Sequence, residues 1–116
     1  MQQLHITTEK IPNKNAYLIS LEGDFDGYVE ENIQEIDLLI RGSEEKTSFV
    51  FDFTKLNYMN SFAIGNLVQW RNQIIAKDGK LFILGINNEI KDALNIVGGS
   101  ILFVFLDNLE TALNAI

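Results

Sequence analysis

Apolar and polar residues alternate in the first part of the chain, then change to helical spacing. Leu4–Lys10 (LHITTEK) and Ala16–Gly23 (AYLISLEG) both read as strands; in the second, Tyr17, Ile19 and Leu21 alternate with Ala16, Leu18 and Ser20. Residues 11–15 (IPNKN) hold the only proline, Pro12, and read as a turn. The pattern leaves open whether these two strands pair directly. From Tyr28 to Arg41 the spacing becomes that of an amphipathic helix, with Val29, Ile33, Ile36 and Ile40 on one stripe. Asp26 stands before it as a cap, Glu30 and Glu31 favour its positive end, and Gly42 reads as its stop.

Ser48–Phe53 (SFVFDF) and Leu81–Ile86 (LFILGI) are continuous apolar runs, which suit strands buried on both faces of a parallel sheet. Between them the spacing predicts a helix from about Ser61 to Lys77, closed by Asp78-Gly79. Its apolar side gathers Ile64, Leu67, Val68, Ile74 and Ile75, with the stem of Arg71 along the rim and its head in water. Residues 88–97 (NEIKDALNIV) read as a third helix stopped by Gly98-Gly99, residues 101–106 (ILFVFL) as a last strand, and residues 107–116 as a final helix. In that helix Asp107 and Glu110 have the spacing of a capping box. Strands alternating with helices predict an α/β fold. We expect one domain over 1–116, with a mixed, mostly parallel sheet of about five strands and about four helices.

Composition narrows the chemistry. A chain of 116 residues with 47% hydrophobic content supports one real core. It has no cysteine, so disulfides, thiolate catalysis and zinc–thiolate sites are excluded, and a reducing compartment fits. The N-terminus lacks a basic segment followed by an apolar one, and no apolar run approaches the ~20 residues of a membrane helix; the expectation is a soluble, cytoplasmic protein without membrane insertion. Net charge is −7, and nine of the sixteen acidic residues fall between Glu22 and Glu45 against one basic residue, Arg41. No basic stripe exists to neutralise phosphates, so nucleic acid is not the expected partner. The acidic run reads either as a solvated face or as a surface for a basic partner.

The richest stretch is Phe49–Trp70 (FVFDFTKLNYMNSFAIGNLVQW), where strand becomes helix at Asn60 and Ser61. Ligands and partners gather where strands end and helices begin. A side-chain oxygen from Asn or Ser there caps free backbone N–H groups, worth ~1 kcal/mol. The same N–H groups and the helix dipole attract anions, so a phosphoryl group on Ser61 would be tolerated while adding about −1.5 to −2 charges. Phe62 projects on the wheel near Asn66, Gln69 and Gln73, away from the apolar stripe; exposed beside a hydroxyl, it has the character of an interface anchor.

Two stretches resemble the STAS domain, the fold of bacterial anti-sigma-factor antagonists. One is Leu21–Asp26 (LEGDFD), similar to the family's acidic segment before its first helix. The other is Phe49–Leu67, similar to the family's buried strand, loop and Asp-Ser-Ser-Gly segment opening its second helix. Residues 77–86 (KDGKLFILGI) and 93–99 (ALNIVGG) also suit the family, so the resemblance runs along the whole chain. It implies a domain that binds a partner kinase, often itself an anti-sigma factor, near the start of helix two, and that is released when the kinase phosphorylates a Ser or Thr there. By position Ser61 matches the phosphoacceptor, and Asp24 and Asp26 match the acidic segment. The surface expected to meet the partner comprises Asp24, Asp26, Asn60, Ser61, Phe62 and Asn66. The chain departs from the pattern at Asn60, which replaces the acid before the acceptor, and at Phe62 and Ala63, which replace Ser and Gly.

Three functions therefore compete. The first is a regulatory binding module of the anti-sigma-antagonist type, switched at Ser61 or by abundance. The second is a phosphorylation-independent STAS subunit of a signalling or lipid-transport assembly, held by constitutive contacts to an ATPase-fold protein. The third is an enzyme. The only histidine, His5, lies in an expected strand, and Asp52 is a lone acid in a buried one. Neither has a visible nucleophile, base or metal-ligand partner, and no G-x-x-x-x-G-K loop is present. The expectation is no enzyme, no cofactor and no metal, with the oligomeric state open.

Overall fold

The computed structural model describes residues 3–26 and 30–116, with backbone only for residues 30–32. In chain order the elements are β1 (His5–Lys10), β2 (Ala16–Phe25), α1 (Glu30–Gly42), β3 (Ser48–Met59), α2 (Ser61–Ala76), β4 (Leu81–Leu84), α3 (Asn88–Ile96), α4 (Gly99–Leu102), β5 (Val104–Leu106) and α5 (Leu109–Ala115). The five strands form one mixed sheet in the order β1-β2-β3-β4-β5. β1 and β2 pair directly and antiparallel, with Ile6 opposite Leu21; the three remaining pairings are parallel.

Because sheet order follows chain order, crossovers of one hand lay their helices on one face. Ile33, Ile36 and Ile40 of α1, Leu67 and Trp70 of α2, and Leu94 of α3 accordingly join Ile19, Phe49, Phe51 and Ile83 of the strands in the main core. α5 lies on the other face, where Ala112 packs with Ala16, Val50, Phe82 and Leu84. Each parallel strand in the middle of the sheet is covered on both sides, which is why its sequence is apolar without a break.

The expected α/β architecture is the one found, with corrections at its ends. A fifth helix is present: the last strand was expected from Ile101, but Gly98 takes a left-handed turn (φ 83°) and residues 99–102 make one helical turn before β5 begins. β3 continues well past Phe53, because β2 also continues to Phe25 and pairs with it. Two register shifts in this pairing break the period of two, so Thr54–Met59 looks like loop by pattern while remaining strand. β4 stops at Leu84, opposite Asp52, so beyond that point β3 loses its second neighbour and becomes polar.

Helix faces needed adjustment too. In α2 the fully buried side includes Ala63 and Trp70, whereas Ile75 faces solvent. The Trp70 indole donates to Asp37 Oδ1 at 2.5 Å and ties α2 to α1. Arg71 is half-buried and its Nε donates to the Leu102 carbonyl (3.1 Å). The expected cap of α5 moves from Asp107 to Asn108, whose Oδ1 accepts from the Thr111 amide at 2.9 Å. Of the expected start of α1, Tyr28 and Val29 lie outside the described residues, as do the side chains of Glu30 and Glu31.

Candidate functional site

The site is built where β2 and β3 end side by side. Phe25 stands opposite Met59 and Asp24 opposite Tyr58. Phe25 and Met59 are buried and anchor the strand ends to the core. The chain then turns at Asn60, which is extended (φ −92°, ψ −179°) and is the N-cap of α2. Its Oδ1 accepts from the Ala63 amide at 3.0 Å, while its Nδ2 donates to the Asp26 carbonyl at 2.6 Å. Its own amide donates to the Phe25 carbonyl at 3.2 Å. One side chain thus caps α2 and pins the segment that follows β2 against it. An acid at this position could accept from Ala63 but, ionised, could not donate to a carbonyl.

Asn60 takes the capping role, so Ser61 is the first helical residue and its hydroxyl is left for other uses. Ser61 is exposed. Its Oγ makes no hydrogen bond among the described residues. The first turn of the sixteen-residue α2 carries no acidic residue of its own to offset the helix dipole. Phe62 is 49% exposed, with Asn66 Nδ2 donating to its carbonyl one turn later at 3.0 Å.

The six residues expected at a partner surface are all placed at or next to this mouth: Asn60, Ser61, Phe62 and Asn66 along the first turns of α2, Asp24 on the neighbouring strand, and Asp26 beside the cap. Asp24 and Asp26 are half-buried, and both take part in further interactions. Sequence reasoning missed Tyr58. It is 43% exposed on the last part of β3, opposite Asp24, and supplies a second aromatic three residues before Ser61. Once β3 is seen to run to Met59, burial of Leu56 and Met59 with exposure of Asn57 and Tyr58 would have found it.

His5 and Asp52 lie elsewhere. Both line a cleft of about 380 Å³ on the sheet face opposite α1–α3, together with Thr7, Ser20, Glu22, Thr54 and Lys55. Asp52 Oδ1 accepts from the Thr54 amide (2.9 Å) and hydroxyl (2.5 Å). Gly85, at positive φ, lets the chain after β4 pass directly over Thr54, where a Cβ would collide with the hydroxyl. Among the described residues no His, Asp and Glu group is arranged to hold a metal ion, and no helix is long and apolar enough to cross a membrane.

Comparison with known proteins agrees with this geometry. The family pattern of the STAS domain matches residues 5–112. No curated protein matches the sequence. An anti-sigma factor antagonist from Mycobacterium paratuberculosis superposes with a TM-score of 0.81 at 15% identity, over 97% of this chain and 93% of that one. The Bacillus cell-fate determinant SpoIIAA in its phosphorylated form gives 0.73 at 19% identity, over 96% and 98%. The murine anion transporter Slc26a9 gives 0.70 at 8% identity, over 97% of this chain but 22% of the transporter. At these identities the likeness is one of fold.

Proposed function

This chain belongs to the STAS domain family, and we propose that it is a regulatory protein-binding domain, spanning 1–116, that meets a serine kinase or anti-sigma factor at the mouth of α2. Ser61 is the phosphoacceptor in this reading. Phe62 and Tyr58 are aromatic anchors, Asn66 flanks them on α2, and Asp24 and Asp26 form the acidic side of the contact. The observation that carries it is the exposed hydroxyl at a helix N-terminus with no acid in its first turn, next to an exposed phenylalanine.

The mechanism follows from charge. A phosphoryl group on Ser61 sits where the dipole and the first amides favour an anion, so the fold is not strained by it. The same group adds about −1.5 to −2 charges to a contact surface that already carries Asp24 and Asp26. A partner packed on Phe62 and Tyr58 then has to desolvate that charge or leave. The transfer moves the γ-phosphoryl of ATP to Ser61 Oγ, with ADP as leaving group and the hydroxyl proton passing to a base of the kinase.

The test is a photocrosslinker at position 66, with retained proteins identified by mass spectrometry from the source cell. The reading expects an ATP-binding serine kinase on the wild type, at least about tenfold less of it on Ser61→Asp, and a gain of one phosphate on Ser61 when kinase and ATP are added. Retention unchanged by both Ser61→Asp and Phe62→Ala would reject the site.

A second reading, a constitutive subunit of a larger assembly bound through Phe62, is favoured by Asn60. An amide there supplies the cap and the bridge to Asp26 but no negative charge to position a kinase's cation. It predicts a stable complex lost with Phe62→Ala and indifferent to Ser61→Asp.

A further inference from the structure

The two edges of the sheet are finished differently. β1 shows solvent a row of hydroxyl and charged side chains, His5, Thr7, Thr8, Glu9 and Lys10. β5 is Val104-Phe105-Leu106, with no charged residue of its own, no proline and no register shift against β4, and Lys91 Nζ of α3 lies 5.7 Å from the Phe105 ring centroid. An outer strand leaves backbone N–H and C=O groups unpaired on its free side, and charged residues, bulges or shortness normally blunt it; β5 has only the last, at three residues. Apolar groups here extend the edge. Ile75 of α2, Ile101 of α4 and Val104, with Arg71 and Lys80 beside them, line one groove of about 230 Å³ at the starts of β4 and β5. All three are exposed, Ile101 by 86%.

The charges at the edge are ordered as well. Arg71 is held by its Nε bond to the Leu102 carbonyl, which puts the guanidinium at the start of β5. Asp107 is exposed and follows the end of the same strand. Neither Arg71 nor Asp107 forms an ion pair with another described residue.

We infer that this edge pairs with β5 of a second copy of the chain, antiparallel across a twofold axis. With Phe105 on the axis, Val104 stands opposite Leu106 of the other copy and Phe103 opposite its Asp107. That carboxylate arrives next to the Leu102 carbonyl where Arg71 is anchored, and the axis repeats the contact. A parallel arrangement would set Arg71 against Arg71 and Asp107 against Asp107, whereas Lys91 beside Phe105 meets its own copy in either, so Arg71 and Asp107 select the antiparallel one. The contact is self-complementary and closes at two copies. It lies away from the mouth of α2: Ser61 and Ile75 are separated by about 21 Å along the helix at 1.5 Å per residue. It does not rest on the kinase-binding reading.

Light scattering on the full chain after size exclusion, over a wide concentration range, tests this. We expect twice the monomer mass at the top of the range, with dissociation on dilution. Val104→Lys, which installs the charge that other edges carry, weakens the dimer at least about tenfold. Asp107→Arg alone gives monomer, and adding Arg71→Glu to it restores the dimer. Trp70 fluorescence verifies that each variant is folded; if the Arg71 variant is not, Val104→Lys and Asp107→Arg, both at exposed positions, decide the matter. A monomer throughout, a dimer indifferent to these two changes, or a folded charge swap that stays monomeric overturns the inference.

Discussion

The mouths of α2 and α3 are built alike, yet they present different surfaces. In each, an asparagine caps the helix with Oδ1 and ties it to a preceding strand segment with Nδ2. Asn60 accepts from the Ala63 amide and donates to the Asp26 carbonyl. Asn87 accepts from the Ile90 amide at 2.8 Å and donates to the Leu56 carbonyl at 3.2 Å. After the cap the two diverge. α3 continues with Asn88 and Glu89, an acid in the first turn that offsets the dipole. α5, capped by Asn108, likewise has Glu110 there. α2 continues with Ser61 and Phe62 and has no acid. The shared half of the design secures the fold; the half that differs leaves α2 with a hydroxyl, an aromatic ring and no acid in its own first turn.

The largest expected effects break the shared half. Asn60→Ala removes a cap and a bridging hydrogen bond together and should lower stability by about 2 kcal/mol. Asn87→Ala should cost about the same, and urea unfolding followed by Trp70 fluorescence measures both. A loss at Asn60 far below that at Asn87 would mean that the two mouths are not equivalent. Next, Asn60→Asp keeps the cap but gives up the donated bond to Asp26, so it should cost about 1 kcal/mol near neutral pH.

Those bridges explain what was legible in the sequence and what was not. Strand-helix alternation, the stripe Ile33-Ile36-Ile40 and the apolar runs at Phe49 and Leu81 follow from period and burial, and they fix the α/β sheet. The site's location at Asn60 and Ser61 was legible because capping residues mark a helix start. The division of labour between them was not, since Asn60 Nδ2 reaches a carbonyl thirty-four residues away in sequence. Tyr58 was hidden by the register shifts in β3, and Trp70 by its polar neighbours on α2. Lys77 was equally invisible: its Nζ donates to the carbonyls of Ile40, Arg41 and Ser43 and caps α1 from another helix. Lys77→Met should therefore cost about 1 kcal/mol, read from the same unfolding curves.

Smaller effects sharpen the divergent half. Exchanging first-turn charge between the mouths should move stability in opposite directions: Ser61→Glu should raise it by about 0.5 kcal/mol and Glu89→Gln lower it by about the same, both shrinking at high salt. The smallest change is expected for Phe62→Ser. With half of its surface already in water, it should alter stability by less than about 0.5 kcal/mol while removing the anchor for a partner.

The most direct test of the central claim pairs two readings on one variant. For Ser61→Glu, thermal unfolding and affinity for the purified crosslinked partner are measured on the same preparation. The account predicts a midpoint at or slightly above that of the wild type, with affinity at least about tenfold weaker. Unchanged affinity, or weaker affinity accompanied by a clearly lower midpoint, would contradict it.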